Sequence, residues 1–141
     1  MKHPQDLAGE LCKRFPDKKL KAIKDFACCA FCLIWYLDLN PSDIEAVMLV
    51  SDLMDAGALD EECTVYWASA VKKLAKTDLK KLEKIEINTI KGIKEKTIVR
   101  YKKGNIGHWV GVKNGKVVFN PLANSVCVKE GKPSEKRVLT I

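Results

Sequence analysis

The apolar residues change their period once along this chain, near Ile85, and that change limits the folds open to it. Before it, apolar positions recur at the three-to-four spacing of amphipathic helices; after it, Val, Ile, Thr and Tyr dominate and alternate as in half-buried strands. Helices followed by strands imply an α+β fold, a helical N-terminal half packed on a C-terminal antiparallel sheet. The 141 residues suit a single domain spanning 1-141.

Within the first half, Leu7 to Phe15 reads as a short helix ended by Pro16. A second pattern begins within Lys18 to Ile23 and leads into the apolar run Phe26 to Leu37, for which Asp25 is the expected N-cap. Asn40-Pro41-Ser42-Asp43 is a turn that opens a third helix, with Ile44, Val47, Met48, in part Val50, Leu53 and Met54 on its apolar stripe and Gly57 as its stop. A fourth is expected from Tyr66 to Ala75, continuing or restarting through Leu82. Expected strands are Glu86 to Asn88, Thr97 to Lys103, His108 to Lys113, Lys116 to Asn120, Ser125 to Val128 and Arg137 to Ile141, with Asn114-Gly115 as the strongest hairpin signal.

The run Phe26 to Leu37, about 12 residues, falls short of the roughly 20 that a bilayer needs, so it reads as a buried helix. Met1 to Leu20 holds no apolar leader, and a cytoplasmic protein without membrane partners is expected. There the six cysteines stay reduced, and Cys12 and Cys127, set among apolar neighbours, are assigned to packing. The formal charge of +7 is concentrated in residues 72-103, where twelve basic residues face four acidic ones. Lys72, Lys73, Lys76, Lys80, Lys81 and Lys84 recur at helical spacing, which suits a solvated face; no base-reading motif accompanies them, so the stretch is a weak case for nucleic-acid binding.

A cysteine hydrolase needs a reactive thiol, a base beside it and a group that orients the base. Cys28, three residues after Asp25, falls in the first turn of its helix, where unpaired N–H groups and the helix dipole favour thiolate; Cys29 is the alternative nucleophile. His108 opens a strand, and the other histidine, His3, lies near a terminus expected to be mobile. Asn120 closes the partner strand ahead of Pro121. A three-residue loop, Lys113-Asn114-Gly115, would set His108 opposite Asn120, whereas a two-residue Asn114-Gly115 loop would turn Asn120 to the other face unless a bulge restored it. A metal site from Cys28, Cys29, Cys32 and His108 is the weaker use of these residues, because structural zinc normally draws on two Cys pairs held on turns; no metal or cofactor is expected.

Cys28-Cys29-Ala30-Phe31-Cys32 at the head of an apolar helix resembles the nucleophile helix of papain-like cysteine peptidases. His108-Trp109-Val110-Gly111-Val112 followed by Val117-Val118-Phe119-Asn120-Pro121 is similar to the histidine strand and the Asp/Asn-Pro strand of the C39-like branch. Leu39 to Ile44 and Gly57 to Val65 look like the middle of small bacterial and phage-encoded members. The resemblance covers about Asp25 to Pro121 and implies a papain-like fold that hydrolyses a peptide or amide bond through a thioester, with Cys28, His108 and Asn120 as the catalytic set. Where that family carries an oxyanion-stabilising Gln before the nucleophile, this chain has Leu20-Lys21-Ala22-Ile23-Lys24, which leaves the Cys28 N–H and the Lys24 side chain as candidate donors. The alternative is an inactive papain-like domain that binds a protein.

Overall fold

The computed structural model describes residues 1–141 and is α+β, with its helices gathered mainly in the N-terminal part. Helices α1 (Pro4–Arg14), α2 (Lys18–Phe26), α3 (Cys28–Tyr36), α4 (Asp43–Asp55) and α5 (Trp67–Ala75) precede strands β1 (Lys81–Glu86), β2 (Thr97–Lys103), β3 (Ile106–Lys113) and β4 (Lys116–Phe119). Helix α6 (Val126–Glu130) and strand β5 (Lys132–Thr140) complete the chain. The sheet is antiparallel in the order β1-β5-β2-β3-β4, so the last strand enters its interior between β1 and β2. No helix is long and apolar enough to cross a membrane.

The sheet carries a core on each face. Ile98, Phe119 and Leu139 join the large core built from α1 to α5, whereas Val99, Tyr101, Val110 and Val112 form a smaller one with Ile93 and Cys127. Helix α3 is buried almost all round, as an apolar run with little amphipathic character requires. Its Trp35 lies against β3, where a side chain at Gly111 would come within 2.6 Å of the indole, and stacks on Phe119 of β4 at 6.0 Å between ring centroids. Lys96 closes the other side of Trp35, its ammonium 4.5 Å from the ring centroid.

Several sequence expectations need correction. Asp25 does not cap the apolar helix: α2 runs on to Phe26, and the single residue Ala27 separates it from α3. Asp25 instead binds Lys21 at 2.7 Å and lies 3.7 Å from the Lys24 ammonium. Helix α5 stops at Ala75 because Lys76 takes a left-handed conformation (φ 58°), and 81–86 is a strand, ahead of the Glu86–Asn88 expected. The lysines of residues 72–84 therefore do not share one helix face. Ser125–Val128 is not a strand: the Ser125 hydroxyl accepts from the Val128 N–H and caps α6. The last strand begins at Lys132 rather than Arg137, and the N-terminus is tied down, with the Lys2 N–H bound to Asp43 at 2.7 Å and His3 Nδ1 2.8 Å from the Asn120 carbonyl. The third helix matches its expected start, with Ser42 and Glu45 forming a reciprocal capping box, and Gly57 follows it at φ 75°.

Candidate active site

The β3–β4 turn has two residues, Asn114 and Gly115, both at positive φ (52° and 71°), and not the three-residue loop. Lys113 therefore pairs with Lys116 and Val112 with Val117. A bulge follows, because Gly111 pairs with Phe119 and leaves Val118 extra. That one residue reverses the alternation of β4 and returns Asn120 to the face of His108. The bulge has the effect on facing that a longer loop would have had.

His108 and Asn120 meet as a result: His108 Nε2 lies 2.7 Å from Asn120 Oδ1. The Leu122 backbone N–H donates to the same oxygen at 3.2 Å, which identifies that atom as an acceptor. Nε2 must then carry the proton, and Nδ1 is left as the bare, basic nitrogen. The ring is 5% exposed, and burial holds its pKa below the usual value against the opposing effect of the Asn120 bond. His108 is therefore neutral at pH 7.

Cys28 is the first residue of α3, as an N-terminal thiol should be, although Ala27 and not Asp25 precedes it at the cap. It lines a cleft of about 380 Å³ with Cys63, Arg100, Trp109 and Arg137. Burial raises its pKa; the backbone N–H groups of Trp109, Cys29 and Cys28 itself, and the Arg100 guanidinium, pull the other way. Cys29 lies in the large core, and its pKa is pushed well up by burial and by Cys28. Backbone support thus distinguishes Cys28 from Cys29. Cys63, across the cleft, is pushed up to about 12, mainly by burial.

Strand pairing fixes the relation between the thiol and the imidazole. Directly opposed residues of an antiparallel pair project to one face. Arg100 opposes Trp109, and both line the cleft with Cys28; Tyr101 opposes His108, and Tyr101 belongs to the smaller core on the other face. The thiol therefore addresses the backbone of the residue next to His108, while the His108 side chain leaves β3 on the opposite side. No hydrogen bond joins Cys28 Sγ to the ring, whose side-chain partner is Asn120. Strand β4 pairs only with Gly111 to Lys113, which leaves β3 from Ile106 to Val110 open along that edge.

Lys24 is not among the cleft residues. Its stem lies against Gly9 of α1, and its ammonium is near Asp25. Its carbonyl matters more, because in an unbroken helix Lys24 O would accept the Cys28 N–H. Here that carbonyl accepts from Gln5 Nε2 at 2.7 Å, and the helical run breaks at Ala27, between Lys24 and Cys28. Gln5 is 4% exposed and also donates its backbone N–H to Pro121 O at 3.0 Å, so one residue of α1 spans the α2–α3 break and the loop that carries Asn120.

Sequence reasoning missed Gln5, Arg100, Arg137 and Glu135. Arg100 figured only within the basic stretch and an expected strand, and Arg137 only as the start of the last expected strand. Their convergence depends on β5 inserting beside β2, which pairs Arg100 with Glu135 and Ile98 with Arg137. No group of three or more His, Cys, Asp or Glu is arranged to hold a metal ion, so the Cys29/Cys32 pair gathers no ligand set. No family model, curated protein or solved structure matches this chain.

Proposed function

We propose that the protein is a cysteine peptidase or amidase of papain-like, C39-like type, with Cys28 as nucleophile, His108 as base and Asn120 as the group that sets the base's tautomer. The observation that carries this reading is the Nε2–H···Oδ1 bond from His108 to Asn120, because it leaves a neutral imidazole with Nδ1 free beside the strand residue whose N–H supports the thiol. This reading requires the His108 ring, which leaves β3 on the face opposite the thiol, to reach the cleft when substrate binds. Catalytic contacts are commonly long in an unliganded enzyme and tighten on substrate.

In this mechanism Nδ1 takes the Cys28 proton as sulfur attacks the carbonyl. The Cys28 N–H is the donor offered to the developing oxyanion in place of the family's Gln, and the imidazolium returns the proton to the leaving amine. Water then hydrolyses the thioester with His108 again as base. Lys24 has no part in this scheme, since it lies off the cleft.

A papain-like domain that binds a protein without hydrolysis is the second reading, favoured by the burial that raises the Cys28 pKa and by the departure of His108 toward the other face. Alkylation by iodoacetamide separates the two. A catalytic Cys28 reacts well below pH 8, and His108→Ala removes that advantage. Cys28 alkylation that follows ordinary thiol behaviour, indifferent to His108, leaves the binding reading.

A further inference from the structure

The wall of the cleft facing Cys28 is cationic. Arg100 and Arg137 both line it, on adjacent strands and on one face of the sheet. The buried Glu135 lies beneath them, bound directly by Arg137, 3.8 Å from Arg100 and 3.9 Å from Lys84. One carboxylate thus serves two guanidiniums and an ammonium. Arg137 is further committed to Trp109, its guanidinium 5.1 Å from that ring's centroid. Arg100 has only the long contact to Glu135, and its side chain is 31% exposed.

Arg100 has also been given room at this spot. Any side chain at Gly107 would overlap its guanidinium, so the bare backbone of β3 lets the planar group lie along the strand that carries His108. The rim holds two acidic groups: Asp25, engaged by Lys21 and Lys24, and the exposed Glu62. Neither is paired with Arg100. A guanidinium with open donors in a half-enclosed cleft matches the two oxygens of a carboxylate.

We infer that the cleft selects an anionic substrate, in which a carboxylate close to the bond under attack binds Arg100, with Arg137 and Trp109 as the supporting wall. The inference rests on the hydrolase reading for its substrate, but its test does not require turnover. Iodoacetate and iodoacetamide alkylate a thiol by the same displacement, in which sulfur forms a bond to carbon and iodide leaves, and they differ in bearing a carboxylate or an amide. Their rate ratio at Cys28, followed by peptide mass analysis and referred to a Cys28-containing peptide without the fold, reports the field of the cleft.

The ratio is expected to favour iodoacetate by about tenfold over the peptide, to fall toward the peptide's value in Arg100→Gln, and to fall likewise in the unmodified protein at high salt. Arg100→Lys, which keeps the charge but not the fork, should retain part of the preference. A ratio equal to the peptide's overturns the anion site while leaving the hydrolase reading to the His108 dependence above. A Cys28 closed to both reagents overturns both.

Discussion

Substituting Asn120 by Ala tests the one site contact whose geometry is complete. The change removes the acceptor of two donors, His108 Nε2–H at 2.7 Å and the Leu122 N–H at 3.2 Å. His108 is 5% exposed, so water cannot readily replace the lost partner, and a buried donor left unsatisfied costs about 1–3 kcal/mol. The Leu122 amide is less enclosed and adds a smaller amount. Together they predict a loss of about 2–3 kcal/mol in urea unfolding at an unchanged m-value, equivalent to a fall of roughly 6–12 °C in Tm for a chain of this size. A double-mutant cycle with His108→Ala isolates the pair, with an expected coupling of about 1–2 kcal/mol. Nitrogen-15 spectra of the native ring should show Nε2 protonated at neutral pH. The reasoning is refuted if Asn120→Ala costs under about 0.5 kcal/mol, if the two substitutions add independently, or if the proton resides on Nδ1.

Two further outcomes follow from the same structure. Because burial lowers the His108 pKa, the unfolded chain binds the proton more readily: the stability contributed by the neutral ring is complete above the unfolded value near 6.5 and is lost as pH falls through the folded value, so urea midpoints should drop below about pH 6.5 and His108→Gln should flatten that part of the profile. Gly111→Ala forces a methyl to within 2.6 Å of the Trp35 indole between two packed layers, and should cost about 1–3 kcal/mol with a shift in tryptophan emission; an unchanged unfolding midpoint would show that Trp35 has room to move.

What was legible in the sequence depended on how far apart the determinants lie. The turn Asn40-Pro41-Ser42-Asp43 is a four-residue signal, and its helix is found where the signal puts it, from Asp43. The Asn114-Gly115 turn is equally local, yet the bulge two pairs beyond it has no marker of its own: Val117, Val118 and Phe119 would each suit a regular strand. The helix assigned through Leu82 failed because the spacing of Lys80, Lys81 and Lys84 fits a helix as well as a strand, and the pairing of Lys81 to Glu86 with β5 decides the matter from about fifty to sixty residues away. The nearness of Asn120 to His108 was readable because a hairpin is short. The arginine wall was not, since it arises only when the last strand enters the middle of the sheet.

The α2–α3 junction shows why the position of Cys28 depends on more than its own neighbours. The nine residues of α2 and the nine of α3 are separated by Ala27 alone, and its geometry (φ −85°, ψ 11°) is barely outside the helical range. Ala27 N–H still reaches Ile23 O, and Phe31 N–H reaches Ala27 O, so the interruption of the helical ladder is confined to the residues between them. A continuous helix would have occupied the Cys28 amide with Lys24 O and left the thiol midway along a buried rod, where it would be inert packing. At the break, Gln5 Nε2 supplies Lys24 O with a donor from the side. Under the proposed hydrolase reading, this glutamine from α1 lies at the break beside the backbone donor on which an oxyanion at Cys28 would depend. Because the same residue also grips Pro121 O, any slackening at α1 disturbs both the leading end of α3 and the loop that presents Asn120. Under that reading, Gln5 braces the proposed nucleophile and its proposed orienting group from one contact point outside the cleft.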